Sequence, residues 1–226
     1  MAILICEIGQ NHCGDMNLAK RLIELAKENG ADLVKFQLYN HAKMYANHPE
    51  VPNCELSKEQ AFELFDYGKQ VGIEVFFSVF DVERVKWCEE IGVKRYKLGY
   101  GRRYDKELIY RVARCGKPMV VSFPHLTEVP SMNKVDFLYC IPNYPTKPDE
   151  LHLSDAFSDM ACEYDGFSDH TIGIDCAKIA LARGAEIIEK HFTLDKTMYG
   201  SDHQLSMNPE ELKELVRWGN LCKEVL

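Results

Sequence analysis

The sequence predicts an α/β fold, a (β/α)8 TIM barrel forming one domain over residues 1–226, with the helix between strands five and six reduced or missing. Three observations point there. Short apolar, β-branched runs alternate with longer amphipathic segments, the habit of parallel α/β folds. Eight such runs fit into 226 residues, close to the lower limit for a barrel of this kind. No linker, internal repeat or low-complexity tract divides the chain. A doubly wound open sheet is the alternative, but no glycine-rich phosphate fingerprint supports it.

Taken in order, strand one covers residues 2–8 and a loop covers 9–17. Leu18, Leu22, Leu25 and Ala26 then mark one helix face, and Asn29-Gly30 stops that helix. Strand two is 33–38. Residues 39–55 are polar, contain Pro49 and Pro52 and show no period, so they read as a long loop, a length that is usually functional. Ser57 and Gln60 form a capping box for a helix carrying Phe62, Leu64, Phe65 and Tyr67 and ending near Gly72. Strand three is 73–78, a helix follows over 81–91, and strand four is 93–98. Asp105 opens a helix with Leu108, Ile109, Val112 and Ala113, closed by Gly116. Strand five is 118–123. Only about a dozen residues, with Pro124 and Pro130 among them, separate it from strand six at 135–141. A helix over 150–162, strand seven at 163–167, a helix over 175–182, strand eight at 186–191 and a last helix over 209–225 complete the pattern.

The net charge of −8 argues against a nucleic-acid or anionic-membrane surface, both of which reward Lys and Arg clusters. Nine cysteines are scattered without a C-x-x-C pair. Several, such as Cys6 and Cys140, sit inside apolar runs as small hydrophobes, so a reducing, cytoplasmic compartment is expected. The N-terminal run has no basic n-region and is too short to span a bilayer, so neither a signal peptide nor a membrane span is expected.

A barrel of this type carries its site at the C-terminal ends of its strands, so polar residues at the strand exits should converge. They are Glu7, Lys35 with Gln37, Ser78, Lys97, Ser122, Tyr144, Ser168 with His170, and His191. His170 and His191 follow consecutive strands and would emerge side by side, within reach of one divalent ion. The plainer reading of each histidine alone is a satisfied, partly buried residue. Lys35 and Lys97 need anionic partners, because burying an unpaired ammonium costs several kcal/mol. An internal pair with Glu7 would meet that need, and so would a phosphate or carboxylate ligand held with the serine hydroxyls. Glu7 is the candidate base, while Glu24, Glu28, Glu89 and Glu90 read as solvated helix faces.

At these residues the chain resembles the N-acetylneuraminate (sialic acid) synthase family. The matching blocks are I-C-E-I-G-Q-N-H-C-G-D from Ile5, V-K-F-Q from Val34, R-Y-K-L-G from Arg95, G-K-P from Gly116 and N-Y-P-T from Asn143. They continue with G-F-S-D-H-T-I-G from Gly166, I-E-K-H-F-T-L-D-K-T from Ile188, G-S-D-H from Gly200 and S-M-N-P from Ser206. The resemblance implies a metal-dependent condensation of phosphoenolpyruvate with an N-acetylmannosamine-like aldose, giving a 2-keto-3-deoxy sugar acid. It implies Mn2+ or Mg2+ on His170 and His191, and a phosphoenolpyruvate pocket of Lys35, Lys97, Ser78, Ser122 and Ser168. Glu7, Gln37, Tyr144 and Asp202 fall where the family contacts the sugar or the attacking water.

The chain also departs from the family pattern. Tyr100-Gly101-Arg102 stands where the family has S-G-E, exchanging a sugar-side carboxylate for a guanidinium that suits an anionic second substrate or plugs the pocket. Ser122-Phe123-Pro124-His125 replaces S-T-G-M, and Pro142 stands where an asparagine is expected. The family's C-terminal antifreeze-like domain has no counterpart before Leu226, so the expected partner is a second copy or a separate polypeptide carrying that domain. A divergent metal-dependent aldolase or lyase, or a non-catalytic barrel subunit, is the rival expectation.

Overall fold

The computed structural model describes residues 2–48, 51, 53–123, 134–158 and 164–225. Eight parallel strands close into a barrel in chain order. They are β1 (Ile3–Gly9), β2 (Leu33–Leu38), β3 (Glu74–Val79), β4 (Tyr96–Leu98), β5 (Met119–Phe123), β6 (Val135–Cys140), β7 (Gly166–Asp169) and β8 (Ile187–His191). The helices are α1 (Met16–Glu28), α2 (His41–Met44), α3 (Lys58–Val71), α4 (Val82–Ile91), α5 (Lys106–Ala113), α6 (Leu153–Ala156), α7 (Asp175–Ala182) and α8 (Pro209–Val225). No helix among the described residues is long and apolar enough to cross a membrane.

Because side chains alternate along a strand, each strand contributes to two cores. Ile5, Leu33, Phe76, Val120, Leu138 and Ile187 point inward and fill the lower barrel with a small apolar plug. Cys6, Val34, Phe77, Tyr96, Val121, Tyr139, Phe167 and Ile188 point outward into the larger core shared with the helices. The next inward positions above the plug are polar, which puts the polar ring at the C-terminal mouth.

Two glycines are required for that geometry. Gly9 sits at φ +53°, and a Cβ there would come 2.9 Å from Glu7 Oε1. The β1–β2 register shifts between Glu7 and Gly9, so the strand ends with room for the carboxylate. Gly166 lies so close to β8 that a Cβ would stand 2.1 Å from the Ile187 carbonyl oxygen.

Several boundaries differ from expectation. β4 begins at Tyr96 rather than residue 93. β7 runs to Asp169 instead of ending at Phe167, because Ser168 and Asp169 pair with Glu189 and Lys190. The long loop over 39–55 contains α2, capped by the Asn40 side chain accepting from the Lys43 N–H at 2.9 Å. Of the helix expected over 150–162, the described part is a 3-10 turn at Pro148–Glu150 followed by the single turn α6, and residues 159–162 lie outside the described residues. His152 and Phe157 lie outside the helical region at φ/ψ of −119°/55° and −123°/58°, which stops propagation on both sides. The reduced or missing helix between strands five and six falls on residues 124–133, outside the described residues.

The β1–α1 loop holds a fully buried His12 whose Nδ1 accepts the Gly14 N–H at 3.2 Å, while Nε2 has no partner. Burial pushes its pKa from 6.5 down to about 4, against the raising influence of Asp15. The folded chain therefore binds fewer protons than the unfolded chain between these values, and stability falls as pH drops from 6.5 toward 4. The full shift is worth on the order of 3 kcal/mol at this one group, from 1.36 kcal/mol per unit. His12→Asn should flatten that part of the urea-midpoint profile, measured at half-unit pH steps.

Candidate active site

A cavity of about 470 Å³ opens at the C-terminal mouth. Of the residues expected from sequence, Glu7, Lys35, Gln37, Ser78, Lys97, Ser122, Tyr144, Ser168, His170, His191 and Asp202 all line it. Strand register explains the convergence. Glu7 pairs with Lys35 on one side and His191 on the other, Gln37 with Ser78, and Ser78 with Lys97.

The floor is a network of buried charges. Lys35 forms an ion pair with Glu7, donates to Ser78 Oγ at 2.9 Å and lies 3.7 Å from Glu189 Oε2. Lys97 Nζ reaches Ser122 Oγ at 2.6 Å and Glu189 Oε1 at 2.9 Å. Ser168 Oγ donates to the same Glu189 oxygen at 2.9 Å. Two carboxylates and two ammonium groups make this tetrad formally neutral, which is what lets four charges stay buried. Burial would raise the Glu189 pKa, but Lys35, Lys97 and the hydrogen bonds from Lys97 and Ser168 hold it well below the usual carboxylate range. Burial pushes Lys35 down to about 7, against the raising field of Glu189.

Sequence reading missed Glu189. The period-two alternation of β8 could have found it: with Ile187 and His191 inward, residue 189 must face inward too. Its neighbour Lys190 points outward and is held by Asp169 Oδ2 at 2.9 Å and the Thr171 carbonyl at 2.8 Å. Cys140, Gln10, Met44, Tyr45, Phe80 and Pro142 also line the cavity without having been expected there.

At the rim, the His170 and His191 rings lie 5.6 Å apart between centroids. Tyr144 packs on both, at 4.1 Å and 6.0 Å. His170 Nδ1 lies 2.9 Å from the Ile141 carbonyl, which only accepts, so Nδ1 carries the proton and the Nε2 lone pair is free. His191 Nδ1 is buried without a hydrogen-bond partner, with Asp202 Oδ2 at 3.6 Å. Asp202 is in turn fixed by Ser201, whose hydroxyl donates to Oδ1 at 2.7 Å.

Burial lowers the pKa of both histidines, that of His191 to about 4, against the raising influence of nearby carboxylates. Both rings are therefore neutral near pH 7, the form that ligates metal. Two neutral imidazoles, each with one free ring nitrogen, fit two coordination positions of a divalent ion. Among the described residues no third His, Cys, Asp or Glu joins them in a ligating group, so the other positions fall to water or substrate oxygens.

Two of the departures from the family pattern, Arg102 and Phe123, do not reach the cavity. Arg102 does not line the cavity; its guanidinium lies 4.0 Å from Asp105 and 5.6 Å from the centre of the Phe80 ring. Tyr100 and Gly101 line the wall at that point instead. Phe123 faces away from the pocket: it belongs to the outer core, since its inward neighbour on β5 is Ser122.

This architecture has close relatives. Human N-acetylneuraminate-9-phosphate synthase is 34% identical over 99% of this chain, which spans 70% of the human protein. The N,N'-diacetyllegionaminic acid synthase of Campylobacter jejuni is 34% identical over 94% of this chain and 74% of its own length. The crystal structure of the N-acetylneuraminic acid synthetase from Leptospira borgpetersenii in complex with citrate matches with a TM-score of 0.89 at 30% identity, covering 99% of this chain and 84% of that one. The family model described as the NeuB family matches residues 22–226, and with these relatives it shows that the chain belongs to the NeuB family.

Proposed function

We propose that this barrel condenses phosphoenolpyruvate with an open-chain aldose to give a 2-keto-3-deoxy sugar acid, with a divalent ion held by His170 and His191. The observation that carries this reading is the pairing of two chemistries in one cavity. Two buried lysines, each donating to a serine hydroxyl, share it with two neutral imidazoles that each keep one ring nitrogen free.

Lys35, Lys97, Ser78, Ser122 and Ser168 bind the phosphate and carboxylate oxygens of phosphoenolpyruvate, because they supply charge-assisted donors in a dry site. Glu189 keeps both ammonium groups oriented before the anion arrives. Gln37, Tyr144 and Asp202 hold the sugar on the rim side. A divalent ion held by His170 and His191 would supply Lewis-acid polarisation of the aldehyde oxygen. C3 of phosphoenolpyruvate then attacks the aldehyde carbon, water adds at C2, and phosphate leaves with cleavage of its carbon–oxygen bond. Glu7 accepts the proton of that water: its Oε1 is buried and has no hydrogen-bond partner. The described cysteines are all free, which supports a cytoplasmic setting.

Incubation with phosphoenolpyruvate, Mn2+ and a panel of N-acylated aldoses, with and without a sugar phosphate group, should release inorganic phosphate with at least one acceptor. No release across the panel would sink the reading. The Lys35 shift adds a pH test. Phosphoenolpyruvate favours the protonated amine, so binding should take up a proton above pH 7, and affinity should weaken by up to about tenfold per unit as pH rises further. Calorimetry in buffers of different ionisation enthalpy reads the uptake, and Lys35→Met should remove it.

A further inference from the structure

The β1–α1 loop carries a second reactive cluster that the synthase chemistry does not use. Cys13 is exposed, and its Sγ lies 3.3 Å from Nε2 of His203. Nδ1 of that buried ring lies 2.7 Å from Thr193 Oγ1. The Thr193 hydroxyl donates to the Asp195 carbonyl at 3.2 Å. A hydroxyl has one proton, so toward His203 it can only accept. Nδ1 of His203 therefore carries the ring proton, and the Nε2 lone pair faces the Cys13 thiol.

The backbone holds this geometry on both sides. Cys13 sits at φ 51°, in the left-handed region, with its N–H donating to the Gln10 carbonyl at 2.9 Å. A Cβ at Gly200 would come 2.8 Å from His203 Cδ2, so the loop closes over the ring only with glycine there. Burial, helped by Asp15, raises the Cys13 pKa, and burial lowers that of His203. The pair rests as neutral thiol and neutral imidazole, the starting arrangement for general-base activation rather than a standing thiolate.

We propose that Cys13 is a peroxide-reactive thiol, with His203 as its base and Thr193 as the residue that fixes the base's tautomer. The sulfur attacks one oxygen of hydrogen peroxide, and the S–O bond forms as the O–O bond breaks. The thiol proton passes to His203 Nε2 and then to the departing hydroxide. Sulfur is oxidised by two electrons, peroxide is reduced, and the products are Cys13 sulfenic acid and one water. The added oxygen must fit between the His203 ring and the Tyr199 carbonyl, 4.0 Å from Sγ. Residue 203 follows Asp202, whose carboxylate faces His191 at 3.6 Å, so oxidation at Cys13 disturbs the rim of the cavity.

The test uses the full chain, hydrogen peroxide and a sulfenic-acid trap such as dimedone, with labelling quantified by peptide mass spectrometry. Half-buried Cys115 and Cys222 serve as references in the same sample. Cys13 should label at least tenfold faster than either, and His203→Gln should slow it at least fivefold. Thr193→Val should slow it less, and Thr193→Ser should restore the original rate. Cys13 labelling no faster than Cys222, a comparison that needs no variant, would overturn the proposal. So would an unchanged rate in a folded His203→Gln chain. None of these readouts requires turnover, so they stand apart from the synthase reading. Where turnover is measured, peroxide should inactivate the original chain and spare Cys13→Ser.

Discussion

Replacing His191 with alanine is expected to lower turnover at least a thousandfold while leaving the unfolding midpoint within a few degrees of the original chain. The ring is neutral, and its Nδ1 makes no hydrogen bond, so truncation strands no established donor or acceptor. On the proposed function, it removes one of two nitrogen ligands. Metal polarisation of a carbonyl is worth several kcal/mol at the transition state, and each 1.36 kcal/mol is a factor of ten in rate. His170→Ala should behave alike. Metal content and kcat measured on the same samples check this: a variant that keeps its metal and a tenth of its rate would refute the assignment. Chelation should mimic the variants, and added Mn2+ should restore only the original chain.

Lys97→Met is expected to remove phosphoenolpyruvate binding and to destabilise the barrel by about 3–5 kcal/mol, the usual result of stranding one partner of a buried ion pair. Glu189 would keep only the Ser168 hydroxyl at 2.9 Å and the more distant Lys35 at 3.7 Å. Glu189→Gln should destabilise for the converse reason, by leaving two ammonium groups with one carboxylate. The double variant separates stability from binding. Losing both charges together restores tetrad neutrality, so urea denaturation should recover most of the loss. Calorimetric binding of phosphoenolpyruvate should not recover, because the anion still lacks its Lys97 donor. If binding returned with stability, Lys97 would be a structural cation only.

The barrel was legible because both of its patterns are local. Alternation within strands and caps such as Ser57 with Gln60 need only a few neighbouring residues, and α3 begins and ends where they indicate. The same alternation brought the strand-exit residues Glu7, Lys35, Lys97, His170 and His191 to one mouth. Segments whose conformation depends on distant contacts were less legible. The described start of the helix expected over 150–162 gives way to short turns in which the His152 N–H donates to the hydroxyl of Tyr139 on β6, a contact no periodicity encodes.

The sequence alone determined the fold class, the family resemblance and which polar residues stand at the strand exits, because each is carried by residue type and spacing. Only the tertiary structure decided how those residues are partnered. Glu189 emerges as the carboxylate between Lys35 and Lys97, Arg102 turns aside to Asp105 and Phe80, and Phe123 packs outward. Closing the sheet brings β8 against β1 and sets its carboxylate within reach of lysines on β2 and β4. Ion pairing and desolvation act through space at a few ångströms, and that proximity is a property of the closed barrel rather than of any stretch of chain.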